Sequence, residues 1–304
     1  GDFLISWGSL GTQDGKFNSP CGIAIDKNGD VYISDAIGRI QKFNSSGSFL
    51  KKWGGYGTAN GQLNSPTGLT IDADGNILVV DSGNNRIQKF STSGAFLSKW
   101  GINGQGNGQF NRPSGIAISR IGDIYVADFY NLRIQKFKST GEYVTSFVLN
   151  DYPHSITLDG DENLLVTLSL TNRIGKYKAS GELLGHFGSL GSANGQFRYP
   201  AGIAFDPEGY LYVADFENHR IQKFSYLRIN SFSTTSGLPG SSFSIKGTGF
   251  SPVLNENKVL LGESQCVVNA VNSTSLTVTV PEGATTGSIT VEREGVIAKS
   301  PGEF

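Results

Sequence analysis

Residues 66–100, PTGLTIDADGNILVVDSGNNRIQKFSTSGAFLSKW, hold four short apolar stretches separated by turn residues. The first, Gly68-Leu69-Thr70-Ile71, alternates. The second, Ile77-Leu78-Val79-Val80, is apolar on both faces, as a strand buried between layers must be. The third, Arg86-Ile87-Gln88-Lys89-Phe90, alternates polar and apolar, so one face stays wet. The fourth is Phe96-Leu97-Ser98-Lys99-Trp100. The turn Ala73-Asp74-Gly75-Asn76 supplies the Asp-Gly that a tight hairpin needs for positive φ. Nothing in the chain repeats persuasively at the helical period. The pattern predicts an all-β protein.

The block recurs. Copies begin at Pro20, Pro66, Pro113, Pro153 and Pro200, at intervals of 46, 47, 40 and 47 residues. Four strands in roughly 40–50 residues, repeated, predict the blades of a β-propeller. The count is five, or six if residues outside this sequence contribute. Residues 1–19, GDFLISWGSLGTQDGKFNS, match the end of a repeat, whereas the fifth copy stops after its third strand at Phe224. Strand 1–8 is therefore expected to pair with the last blade and close a propeller spanning 1–225, removing its open edge.

The core Asp-x-x-Asn-x-Arg-Ile, at Asp81–Ile87, Asp128–Ile134 and Asp215–Ile221, resembles the NHL repeat. The resemblance implies a propeller that typically has six blades. From Leu227 the composition shifts toward Ser, Thr and Val. LRINSFSTTSGLPGSSFSIKGTGFSP and SLTVTVPEGATTGSITVEREG resemble an IPT/TIG domain, which implies an immunoglobulin-like β-sandwich over 227–304. Seven or so strands suit that length.

Composition narrows the function classes. Lys+Arg 25 against Asp+Glu 26 leaves a net charge of -1, which argues against a basic nucleic-acid or membrane-surface binder. No apolar run approaches a membrane span. Two cysteines, Cys21 and Cys266, are too few and too far apart for a disulfide framework. The chain starts at Gly1 with no signal peptide, which reads as a processed or excised product.

No P-loop, nucleophile elbow or zinc motif is present. The three histidines, His154, His186 and His219, do not converge in sequence, so no metal site, cofactor or catalytic residue is expected. Cys21 reads as a small apolar residue at the start of an inner strand. Asp72-Ala73-Asp74-Gly75-Asn76 lacks the distal Glu of a calcium loop and reads as the blade turn. The basic pairs Arg39/Lys42, Arg86/Lys89, Arg133/Lys136, Arg173/Lys176 and Arg220/Lys223 allow two readings: an RNA-binding surface, or pairing of each Arg with Asp35, Asp81, Asp128 or Asp215. The charge balance favours pairing. The fourth copy departs from the others, with Leu168 for Asp, Gly175 for Gln, Ser155 for Gly, and its preceding link cut to Val148–Tyr152. Asp151 is expected to replace the missing partner of Arg173.

The face carrying the loops between second and third strands, together with the inter-blade links, holds a lopsided set of aromatic and basic residues: Phe129, Tyr130, Tyr152, His154, Arg198, Tyr199, Phe216 and His219. Contiguous aromatic surface marks a partner or glycan site. Asn44 and Asn272 lie in N-glycosylation triplets. The resemblance implies an extracellular or cell-surface structural or interaction protein, and the missing catalytic motifs lead to the expectation that it is non-enzymatic. It would serve adhesion or scaffolding, bind a protein or glycan partner or itself, and neither contact nucleic acid nor insert into membrane. The alternative is a propeller enzyme of lyase or lactonase type, and a weaker one an RNA-binding NHL module.

Overall fold

The structure, a computed structural model, describes residues 4–293 and 296–304. Each apolar block of the repeat is a strand. In the second blade these are Pro66–Ile71, Ile77–Asp81, Arg86–Phe90 and Phe96–Trp100, antiparallel in that order. The first blade runs Pro20–Ile25, Val31–Asp35, Arg39–Phe43, Phe49–Gly54. The third runs Pro113–Ile118, Ile124–Asp128, Arg133–Phe137, Tyr143–Val148, and the fourth Pro153–Leu158, Leu164–Leu168, Arg173–Tyr177, Leu183–Phe187. The fifth sheet has three strands among the described residues: Pro200–Phe205, Leu211–Asp215 and Arg220–Phe224. The chain divides into two compact units, Gly1–Ile203 with Ala214–Arg220, and Ala204–Val213 with Ile221–Phe304.

The doubly apolar second strands are fully buried in the first four blades, as their pattern requires. Facing blades share clusters such as Leu78, Val80, Ile87, Phe110, Ile116 and Ile124 between the second and third. A repeated ring-on-glycine contact fixes their spacing. Gly94 has φ +79°, and a Cβ there would lie 2.7 Å from the Trp53 ring of the preceding blade. Gly141 receives Trp100 in the same way, and Gly47 receives Trp7. Of the expected closing strand 1–8, residues 1–3 lie outside the described residues, and residues 4–8 form no strand. Trp7 packs on Phe43 with ring centroids 6.1 Å apart.

Four of the five repeat arginines are paired. Arg39, Arg86, Arg133 and Arg220 meet Asp35, Asp81, Asp128 and Asp215 at 2.7–2.9 Å. Arg86 also donates to the Thr58, Ala59 and Gln62 carbonyls of the Gly-rich link, sewing that link onto its blade. These guanidiniums are therefore committed internally. The Asp72 carboxylate accepts the Asp74 and Asn76 amides and pairs with Lys89 at 2.8 Å, the chemistry of a turn.

Residues 228–303 form two four-stranded sheets. One runs Arg228–Phe232, Ser242–Thr248, Ser275–Thr279, Val267–Asn272; the other Ser264–Gln265, Lys258–Leu261, Ser288–Arg293, Val296–Glu303. Ile245, Val259, Leu276, Val278, Ile289 and Val291 fill the core between them. Buried Phe304 stacks near Phe243 with centroids 4.5 Å apart.

Candidate functional site on the loop face of blades three to five

In every blade the residue after the leading proline holds the same place on the innermost strand: Cys21, Thr67, Ser114, His154 and Ala201. Thr67 Oγ1 donates to the Ser114 carbonyl at 2.9 Å, and Ser114 Oγ to the Pro153 carbonyl at 3.0 Å. The His154 ring continues the series with a hydrogen bond to the Ala201 backbone. Alignment of the copies was the signal for this relay, since each position falls one residue after a repeat proline.

Around His154 lies a row of rings. Phe129 stacks on Tyr152 at 5.1 Å and 26°, and meets Tyr130 edge-on at 5.0 Å. His154 stands edge-on between Phe129, 5.9 Å away, and Tyr199, 5.7 Å away. Tyr199 in turn contacts Phe216 at 6.0 Å. The ends of the row, Tyr130 and Phe216, are 56% and 64% exposed. Six of the eight predicted residues thus form one continuous surface, with His154 at its centre.

Arg198 and His219 stay out of the row. The Arg198 amide donates to Asp215 Oδ1 at 2.7 Å, and its side chain is exposed. His219 is exposed and caps the short Phe216–Asn218 turn with φ +53°. Tyr199 sits at φ +52°, with its amide donating to Asn172 Oδ1 at 2.8 Å. Ser19, Ser65 and Arg112 take the same conformation before their prolines, so the blade geometry aims whatever ring occupies this position.

The site is neutral. Burial pushes the His154 imidazole below its ordinary range, against the opposing pull of its bond to Ala201. Burial raises the Tyr199 phenol, keeping it protonated. Ser169 Oγ, buried beside that phenol, makes no hydrogen bond of ordinary geometry; sequence reasoning did not single it out. Elsewhere, burial and then Asp35 push the Cys21 thiol up, which leaves it a poor nucleophile. Among the described residues no three His, Cys, Asp or Glu side chains group to hold a metal. Asn44 and Asn272 sit in turns, their side-chain oxygens accepting amides two residues on.

Blade four is rewired differently from expectation. Asp151 does not take up Arg173. Its carboxylate accepts the Leu170 and Thr171 amides and the Thr171 hydroxyl, at 2.9, 3.1 and 2.6 Å. The cause is the short link, which brings Asp151 under the loop instead of beside the third strand. Tyr177 fills the space of the missing glutamine, its ring 2.6 Å from where a Gly175 Cβ would stand. Arg173 turns outward to His186, Nη1 to Nε2 2.9 Å.

A β-propeller of NHL-type blades with an immunoglobulin-like sandwich is what this architecture defines. The chain carries NHL repeats, matched at residues 63–90, 110–137 and 197–224, and an IPT/TIG domain at 227–304. No curated protein matches the sequence. Among solved structures, a streptogramin B lyase is similar at 19% identity and TM-score 0.55, covering 97% of this chain and 96% of that one. Virginiamycin B lyase from Staphylococcus aureus is similar at 19% identity and TM-score 0.52, covering 91% and 92%. A catalytically inactive histidine-to-alanine variant of the latter, with quinupristin, matches at 18% identity and TM-score 0.52 over the same shares. At these identities the likeness establishes the fold. It also overturns the expectation of a non-enzymatic adhesion or scaffold module, because the similar chains are enzymes.

Proposed function

We propose that the chain is a propeller enzyme of lyase or lactonase type, acting on a cyclic ester with His154 as its base. The carrying observation is the state of His154: half-buried at the centre of the ring row, pushed toward its neutral form, with one ring nitrogen engaged by the Ala201 backbone. A neutral imidazole donating from one nitrogen presents a lone pair on the other, which is what a general base requires. In an elimination, that nitrogen takes a proton beside the scissile C–O bond. The C–H electron pair becomes the new C=C bond, and the carboxylate leaves with the C–O pair. The rings would hold an apolar substrate face and exclude water. The similar lyases, one inactive without a histidine, support this reading.

The test is mass spectrometry after incubation with a panel of lactones and a cyclic depsipeptide such as quinupristin. Elimination opens the ring with no change in mass, whereas hydrolysis adds one water. His154→Ala should abolish either product while leaving the fold intact. Turnover unaffected by His154→Ala, or no turnover on any cyclic ester, would remove the reading.

A further inference from the structure

We propose that Arg173 and His186 form an oxyanion-binding site on the outer side of blade four, independent of the ring row. The argument is a comparison among five equivalent arginines. In blades one, two, three and five, the Arg Nε donates to a fully buried Asp at 3.0, 2.7, 2.8 and 2.7 Å. In blade four that Asp is Leu168, itself buried. The link whose carbonyls hold Arg86 is cut short before blade four, and Asp151 is spent on Leu170 and Thr171. No carboxylate pairs with Arg173 among the described residues, and its Nε is buried without a partner.

A guanidinium cannot shed its proton to escape this situation. Its side-chain hydrogen-bond partner, His186 Nε2, is an acceptor only while neutral, and brings no negative charge. Two acids at the opposite end of blade four are also paired, Glu182 with Lys178 at 2.9 Å and Asp159 with Lys176 at 2.9 Å. The pair is a partly solvent-open cation with its internal counter-ion deleted, and an external carboxylate or phosphate oxygen supplies the missing charge.

Calorimetric titration of the full chain with inorganic phosphate, and separately with acetate, tests the site at matched ionic strength. Saturable binding of at least one is expected. Phosphate alone would identify phosphoryl groups, and acetate would identify carboxylates. Arg173→Leu should weaken binding at least ten-fold, and His186→Ala several-fold. Lys178→Gln, on the same blade surface, should change it less than two-fold. Arg173→Leu should also melt no earlier than the parent without anion, since it removes a buried unpaired donor; an Arg with a merely structural role would melt earlier. Arg173→Lys, which keeps the charge but loses the fork, should bind weakly and serves as a second variant if the Leu form fails to fold. Absence of binding by both anions, or equal binding by the Arg173 variants, overturns the proposal.

Discussion

Arg86 Nε lies 2.7 Å from Asp81 Oδ2, and both side chains are buried. Asp81 also accepts the Asn64 amide, the Asn84 side chain and the Gln88 side chain, so one carboxylate ties the incoming link, the loop and the third strand together. Removing it leaves a buried arginine without its charge partner. Asp81→Ala should therefore lose about 3–5 kcal/mol of unfolding free energy. Urea denaturation measures this through the midpoint, with the slope unchanged if only stability has moved. Asp151→Ala in blade four deletes hydrogen bonds but no ion pair, and should lose about 1–3 kcal/mol.

Gly175 offers a sharper test, because the repeat argues one way and the packing another. The other copies have glutamine here, so Gly175→Gln restores the pattern. Yet the Tyr177 ring stands 2.6 Å from where the new Cβ would lie. The substitution should destabilise by about 1–3 kcal/mol, the ordinary range for overpacking. Gly175→Gln combined with Tyr177→Ala should recover part of the loss. A stabilised single variant would mean that Tyr177 moves aside freely.

The ring row should behave as a binding surface. Phe129 stacks on Tyr152 and meets Tyr130 and His154 edge-on, whereas Phe216 meets Tyr199 at the exposed end. Each aromatic contact contributes about 0.5–1.5 kcal/mol, which is roughly a two- to twelve-fold change. Phe216→Ala should thus raise KM by about that factor, with kcat nearly constant. Phe129→Ala should reduce kcat/KM further, because it also loosens the ring beside the base. Steady-state kinetics on the best substrate of the lactone panel separates the two.

The blades were legible because each copy repeats a strong local signal: a doubly apolar second strand after a short turn, and, in four of the five, an Asp four or five residues before the paired Arg. The clustering of six rings in the candidate site could also be anticipated, since their side chains crowd one face of blades three to five. What the sequence could not convey was competition for a shared partner. Asp151 and Arg173 looked complementary, but two loop amides and a threonine hydroxyl claim the carboxylate first. Nor could charge and composition reveal that His154 would stand half-buried between two rings, since that depends on the φ of Tyr199 and on contact between three blades. The likeness to known lyases runs against the non-enzymatic expectation, and a single half-buried imidazole leaves no motif that would have signalled it.

His154 also predicts how stability depends on pH. Its folded value is lowered by burial, below the ordinary value of about 6.5 that applies once the chain unfolds. Between the two values the unfolded state binds more protons than the folded one, so stability rises with pH across that window. The contribution is complete above about 6.5 and is lost as pH falls toward the folded value. A parent protein compared at pH 7.5 and 5.5 should therefore melt lower in acid, and His154→Phe should flatten part of that slope because phenylalanine has nothing to titrate. Carboxylates such as Asp215 act in the same direction but further down. Burial alone would raise that group, but bonds from the Arg198 amide, Asn218 and Arg220 hold it below the usual range, and its share is lost only as pH falls through about 4 and lower. The difference between parent and His154→Phe, taken by differential scanning calorimetry at half-unit intervals, isolates the histidine. A difference that does not change between pH 5 and 7 would mean the imidazole keeps its ordinary affinity for a proton when folded, and the neutral base on which the proposed chemistry rests would be lost with it.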